Sequence, residues 1–234
     1  SYQFFTMPGL YQVVSGINLF NPKFNVVPPG VDENNYFPYH IKDRRVASKT
    51  EYWEHRLFSG EAEDTYGYLE DPEKPPFFTM ARLDRIKNIT GLIEAFGGNE
   101  TLRENANLIF AGGTIHLEES QDREEQEQIG RIYQLIDELQ LHGKVRWLPS
   151  INKQDTGEVY RIIADKKGAF VQPALFEAFG LTILEAMLSG LPTFGPQFGG
   201  PSEIIIDKTS GFLMNTSRPR SEERRVGKEC ATGC

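Results

Sequence analysis

The chain has 234 residues, 39% hydrophobic and 25% charged, with a formal net charge of −8, a composition that excludes low-complexity and fibrous classes. The acidic balance argues against nucleic acid as the main partner, which would need a clustered basic face, yet leaves room for a small phosphorylated ligand gripped by one or two cations. No apolar run approaches the ~20 residues of a membrane-spanning helix, and the start SYQFFTMPGL lacks the charged and apolar regions of a signal peptide.

Taken in chain order, residues 1–22 carry apolar positions around Pro8-Gly9 and read as the end of a preceding unit. The first residue is Ser rather than Met, so the chain is expected to begin inside a longer protein. KFNVVPPGVD (23–32) reads as a short strand running into a Pro-Pro-Gly turn. Residues 40–75 are polar: ASKTEYWEHRLF suits a helix, the acidic GEAEDTYGYLEDPEK follows, and the stretch reads as a variable surface insertion.

From Pro75 the pattern becomes regular. PFFTMARL is a strand and NITGLIEAFGG a helix, with Gly97 and Gly98 as its stop signal. NANLIFAGG is a strand, and Ile129, Ile132, Leu135, Ile136 and Leu139 give the following segment a helical period. KVRWLPS is a strand, GEVYRIIADKK a helix, GAFVQPA a strand, FGLTILEAMLSG a helix and LPTFGP a strand. GGPSEIII opens a last helix and SGFLM a last strand. RSEERRVGKEC then breaks the pattern, so residues 218–234 are read as a non-native tail resembling a translated sequencing adapter, and 23–217 as the folded domain. Both cysteines, Cys230 and Cys234, lie in that tail, so no disulfide framework is expected and a reducing cytoplasm is the expected compartment.

Strands alternating with helices predict an α/β fold: a Rossmann-like parallel sheet with helices on both faces, whose ligand sits at the carboxyl ends of the strands. The G-x-G-x-x-G turn of dinucleotide enzymes is missing, as is the phosphate loop G-x-x-x-x-G-K-[ST]. H-E-x-x-H and C-x-x-C are missing too, and His40, His55, His116 and His142 are scattered, so no metal is expected. What the first strand does lead into is MARLDRIKNITGL, where Arg82 and Lys87 are spaced to reach one anion. A guanidinium fork and a compact ammonium together can neutralise a diphosphate. The alternative is that Arg82, Arg85 and Lys87 are solvated charges paired with Asp84.

The mouth of the fourth strand carries FEAFGLTILEA (176–186). A helix starting near Gly180 would turn the amides of Phe179, Gly180, Leu181 and Thr182 toward an anion. Eight residues of helix rise ~12 Å, more than the ~5–9.5 Å that separates glycosidase carboxylates. Glu177 and Glu185 therefore suit the two ends of an elongated ligand better than one scissile bond. The bland readings are an N-cap for Glu177 and an exposed helix position for Glu185.

E-x7-E at the fourth strand together with R-x4-K at the first resembles the retaining glycosyltransferases of the two-lobed GT-B fold. Longer strings, FTMPGLYQVVSGINLFNPKFNVVPPGVDENNYFPY, MARLDRIKNITGLIEAFGGN, KGAFVQPALFEAFGLTILEAM and GLPTF with GGPSEII, resemble the sucrose synthase family over residues 2–214. The resemblance implies a hexosyltransferase that reversibly moves glucose between sucrose and a nucleoside diphosphate with retention of configuration, needing neither metal nor other cofactor. Its partners would be sucrose, fructose, UDP or ADP and the nucleotide-glucose, in a homo-oligomeric parent enzyme. It assigns Arg82 and Lys87 to the diphosphate, Leu181 and Thr182 amides to phosphate, Glu185 to the ribose, and Glu177 with the Phe179 and Gly180 amides to the glucosyl hydroxyls. Arg82, Lys87 and Glu177 would form the catalytic set, with the leaving phosphate rather than Glu177 deprotonating the acceptor.

Two departures qualify the match. Where plant members read uracil with Gln and Asn, WLPSINKQDTGEVYR is one residue shorter and sets Ile151 and Thr156 near the base, as in the bacterial branch, so ADP competes with UDP as the expected nucleotide. The family's N-terminal lobe and closing C-terminal helices are not in the sequence, so the chain alone is expected to be inactive. Sucrose-phosphate synthase, or a non-catalytic nucleotide-binding paralogue, is the alternative family reading.

Overall fold

The apolar runs PFFTM and NLIFA have no polar face to turn to solvent, and burial on both faces is what a parallel sheet under two helical layers provides. In the computed structural model, which describes residues 32–59 and 62–217, these runs are β1 (Pro76–Met80) and β2 (Asn107–Ala111), buried along nearly their whole length. They are joined by β3 (Val145–Leu148), β4 (Ala169–Val171), β5 (Thr193–Pro196) and β6 (Phe212–Met214). Among the described residues the strands form one six-stranded sheet in the order β3-β2-β1-β4-β5-β6, and every pair is parallel. Phe77 is in register with Leu108 on one side and Ala169 on the other.

Alternate strand residues point to opposite faces, which splits the core in two. On one face Phe77, Leu108, Phe110 and Trp147 pack under α2 (Ile89–Gly98) and α4 (Arg123–Glu138), through Ile93, Phe96, Ile129, Ile132, Leu135 and Ile136. On the other, Phe78, Ile109, Leu148 and Phe170 meet α1 (Ala47–Phe58), α5 (Lys153–Asp165) and α6 (Leu181–Leu188), through Trp53, Leu57, Val159, Ile163 and Ile183. The expected doubly covered sheet is therefore present, and each strand foreseen from Pro75 onward lies where its apolar run lies. The strand expected at 23–32, residues 1–22 and the tail 218–234 fall outside the described residues, apart from Asp32.

α2 ends at Gly98, where the Gly97-Gly98 pair was expected to stop it, and Asn99 at once caps a second short helix, α3 (Glu100–Asn105), by accepting from the Leu102 amide at 3.2 Å. Two other readings need correction. α5 starts at Lys153, ahead of the expected Gly157, because the Asn152 side chain accepts the Gln154 amide and supplies an N-cap. The four-residue α7 (Pro201–Ile204) is all that GGPSEIII yields.

The largest difference is the supposed surface insertion. α1 occupies the predicted residues, but Trp53, Leu57 and Phe58 are buried in the core. Its approach to α5 is fixed by a carboxylate: Glu158, with a side chain 1% exposed, receives Arg45 at 2.6 Å, Arg161 at 2.9 Å and the Thr50 hydroxyl at 2.6 Å. Arg45 and Lys42 also pair with Asp165. The acidic stretch that follows runs antiparallel beside β3, with Tyr66 bridged to Trp147 and Leu69 to Lys144. Charge in 40–75 hid these partners, because the cations and carboxylates that look solvated in sequence are paired with residues over a hundred positions away.

Leu57→Ala is expected to lower the unfolding free energy by about 2–5 kcal/mol in urea titrations, the cost of a cavity in a packed core. A change near zero would restore the insertion reading.

Candidate functional site

β1 and β4 are neighbours in the sheet but not in sequence, and their connections leave toward opposite directions, which opens a crevice at their carboxyl ends. The two loops that border it are tied together. After β1, Asp84 accepts the Lys87 amide at 2.7 Å and closes a turn. Asn88, left-handed with φ 56°, starts α2 and donates its side-chain amide to the Pro173 carbonyl at 3.0 Å. The Leu175 amide donates to the Ile86 carbonyl at 2.8 Å. These contacts bring Lys87 within 2.6 Å of Glu177, with only 21% and 14% of the two side chains exposed.

Glu177 is held from three sides. One oxygen takes Lys87 and the other accepts the Phe179 amide at 3.3 Å. Its backbone pairs with Gly199 across a parallel bridge, and its carbonyl accepts the Gly200 amide at 2.9 Å. A Cβ on Gly199, which sits at φ 92°, would lie 2.0 Å from that carbonyl, so the Gly-Gly after β5 is what lets the loops close. Burial alone would push the Glu177 carboxyl up, but Lys87 and the amides of Phe179 and Gly180 outweigh it and hold it below the usual carboxylate range.

α6 begins one residue after Gly180, whose φ of 97° turns the chain into the helix with no side-chain cap. The amides of Leu181 and Thr182 thus fall in the first turn of α6, where a helix leaves its N–H groups without intrahelical partners. The buried Gln172 at the end of β4 donates to the Thr182 hydroxyl at 3.1 Å. Around the mouth Ile86, Leu175, Phe176, Phe179 and Phe198 are exposed apolar side chains. Arg82 stands at the rim instead of beside Lys87: its side chain is 84% exposed and pairs with Asp84 at 3.1 Å, the alternative weighed from the sequence.

Glu185 is buried on the inner face of α6 rather than exposed on the helix. It faces Tyr36 and Tyr160; burial pushes its carboxyl up, opposed by Tyr36, by the charge of Lys153 and by Tyr160. Thr156 is buried too, its hydroxyl 2.7 Å from that of Tyr36 and donating to the Lys153 carbonyl at 2.9 Å. The two glutamates therefore occupy separate environments with shifts of opposite sign. Tyr36, Tyr160 and Gln172 went unnoticed in the sequence, although Tyr36 lies inside the quoted string VDENNYFPY. Among the described residues no group of three or more His, Cys, Asp or Glu is placed to hold a metal ion, and no helix is long and apolar enough to cross a membrane.

The family model described as glycosyl transferases group 1 matches residues 62–227, which include the whole crevice. The chain belongs to the group 1 glycosyl transferases. A second family model, the sucrose synthase first GT-B domain, matches residues 1–58 of this glycosyl transferase. The chain is 60% identical to a sucrose synthase of Thermosynechococcus vestitus over 92% of its own length and 27% of that protein. It is 51% identical to sucrose synthase 2 of Arabidopsis thaliana over 94% of its length and 27% of that protein. It thus spans about a quarter of the curated relatives it matches. In fold the glycosyl transferase resembles Anabaena HepE, solved with UDP and glucose, at a TM-score of 0.64 and 19% identity over 86% of this chain and 45% of that one. The sheet is that of a GT-B lobe.

Because its folded pKa is lowered, Glu177 stabilises the fold above its unfolded pKa of about 4.3, and that contribution is lost as pH falls through the folded value. Lys87→Ala removes the main lowering influence. The Glu177 carboxyl should then titrate at higher pH by carbon-detected NMR, and the fold should lose about 1–3 kcal/mol at neutral pH. An unchanged Glu177 titration would mean the pair is not formed in solution.

Proposed function

We propose that this chain is the nucleotide-binding lobe of a sucrose-synthase-type enzyme, which transfers glucose reversibly and with retention between sucrose and a nucleoside diphosphate. The observation that carries the reading is the Lys87–Glu177 pair at the α6 N-terminus, in a chain 60% identical to a named sucrose synthase. A cation beside free helix amides suits the diphosphate of a nucleotide-sugar, Glu177 its hydroxyl-rich sugar, and Glu185 its nucleoside.

In this reading the diphosphate docks on the Leu181 and Thr182 amides and takes Lys87 as counter-ion, with Arg82 closing over it from the rim. Lys87 then stabilises the charge that grows on the departing phosphate as the glycosidic bond lengthens. Glu177 accepts from hydroxyls of the glucosyl ring, the Phe179 and Gly180 amides donate to its hydroxyl oxygens, and together they fix its face. Glu185 takes the ribose hydroxyls. Thr156 lies toward the base, behind Glu185, and the base is adenine or uracil. The acceptor hydroxyl attacks from the side the phosphate leaves, and a phosphate oxygen receives its proton, so configuration is retained with no nucleophilic side chain and no metal. The lowered pKa of Glu177 fits a hydroxyl acceptor that stays ionised. The enzyme works in the cytoplasm as a homo-oligomer, and its acceptor site is completed by a facing lobe that brackets the exposed Phe176, Phe179 and Phe198.

Calorimetric titration of the 234-residue chain with ADP and with UDP should show saturable binding of at least one, and the same chain should release no fructose from sucrose. Binding of neither nucleotide would sink the lobe assignment, and fructose release would sink the need for a second lobe. In the full-length parent, Lys87→Ala should reduce kcat about 10²–10³-fold, the usual loss for a contact to developing anionic charge. Near-normal turnover would return Lys87 to the role of a surface charge.

A further inference from the structure

Glu185 is an unusual buried carboxylate, because the groups pressed against it are hydroxyls and not cations. Tyr36 comes from the segment ahead of α1, Tyr160 from α5, and Lys153 at the start of α5 acts only through its charge. Tyr36 is 3% exposed and is not loosely placed. Its amide and that of Asn35 donate to the Asp32 carbonyl at 2.8 and 2.9 Å. The Asn35 side chain donates to the Lys153 carbonyl at 2.7 Å, and the Asn35 carbonyl accepts Arg161 at 2.8 Å. A Cβ at position 157 would come within 2.0 Å of that same carbonyl, so Gly157 lets α5 seat directly on the segment. A stretch of chain remote in sequence is thus fastened where one hydroxyl reaches α6.

Proton counting shows what that hydroxyl does. Tyr36 and Thr156 each have one hydroxyl proton to donate, and their oxygens are 2.7 Å apart. If Thr156 donates to the Lys153 carbonyl, Tyr36 donates to Thr156 and gives nothing to Glu185. If Thr156 turns to donate to Tyr36, Tyr36 donates to Glu185. A charged carboxylate selects the second order, since a hydrogen bond to an ion is about twice as strong as a neutral one. Tyr160 adds a second hydroxyl: it is fully buried, has no hydrogen-bond partner of its own, and lies near Glu185, free to donate to it. An ionised carboxylate has about four lone-pair sites. Two tyrosine donors leave two, the number needed for the vicinal hydroxyls of one ribose.

We infer that Tyr36, backed by Thr156, is a positioning residue that holds the Glu185 carboxylate ready for the ribose hydroxyls of the nucleotide. The inference rests on the ribose role given to Glu185 above and adds how the carboxylate is kept charged and aimed without a neutralising cation. Burial works against that charge, and the tyrosine hydroxyls offset it while leaving the ligand-facing lone pairs free. Thr156 accordingly acts behind Glu185.

The test compares ribose with 2′,3′-dideoxyribose, which has neither vicinal hydroxyl. The 234-residue chain is titrated calorimetrically with ADP, UDP and their 2′,3′-dideoxy forms, as wild type, Tyr36→Phe and Thr156→Val. Wild type should bind the ribonucleotide more tightly than the dideoxynucleotide. Tyr36→Phe keeps the ring against Tyr160 and should weaken ribonucleotide binding about tenfold, the loss of one hydrogen bond to a charged group, while dideoxynucleotide binding stays unchanged. That unchanged binding doubles as the control for folding. Thr156→Val should reduce the ribose preference in the same direction by less. If Tyr36→Phe keeps the full preference, or weakens both nucleotides equally, the positioning role is overturned. If the phenylalanine variant binds neither, Thr156→Val decides by the same criterion. A wild type without ribose preference overturns the Glu185 contact itself, and this inference with it.

Discussion

β1 is hydrogen-bonded to β2 on one side and β4 on the other, and every functional group in the described chain takes its position from that placement. Right-handed crossovers build the sheet outward from β1 in one direction and from β4 in the other. The loops leaving these two central strands must therefore part, and the gap between them is the crevice at their carboxyl ends. The tie of Asn88 to Pro173 and of Ile86 to Leu175 limits how far they part. Lys87 and Glu177 meet as a result. The ion pair follows from topology first and from charge second.

The same frame separates the two glutamates of the E-x7-E motif. Glu177 precedes α6 and sits under helix amides and a lysine, an environment that favours its charge. Glu185 lies inside the helix, against tyrosines and out of water, an environment that resists it. One backbone stretch thus sets two carboxylates in two chemically different environments. Glu177 also has an ion-pair partner in Lys87, whereas Glu185 has tyrosine hydroxyls and the charge of Lys153 acting without an ion pair. On the proposed function, an incoming diphosphate has to draw Lys87 from Glu177, which links the diphosphate and sugar ends of the site through one cation.

Much of the sheet was legible in the sequence because parallel strands buried on both faces are continuous apolar runs, and PFFTM, NLIFA and VRWL are such runs. The site was legible in part: R-x4-K and E-x7-E lie at the ends of strands that the alternation itself locates. What the sequence concealed was partnership over distance. Lys87 and Glu177 are 90 residues apart, and Tyr36 and Thr156 are 120 apart. Local pattern carries no trace of either contact. Residues 40–75 misled for a related reason. A helix whose charges are matched by a buried Glu158 on α5 reads as solvated when Glu158 cannot be placed. Gly97-Gly98 did mark the end of α2, and what local pattern missed was the Asn99 cap that opens α3 directly after it.

The antiparallel bridges at Tyr66 and Leu69 have a bearing on how copies of the sheet can meet. They cover the outer side of β3, with the Tyr66 and Trp147 amides and carbonyls satisfied reciprocally at 2.9 and 2.8 Å. At the other edge of the described sheet, the Leu213 amide of β6 donates to the Asp207 carboxylate at 2.9 Å and the Gly211 carbonyl just before it accepts the Lys208 amide at 2.7 Å. Stacking strands into a fibril requires two open edges on every unit, one to accept and one to template. A unit with one edge already covered ends any such chain at its first partner, so the strap limits polymerisation as well as extending the fold.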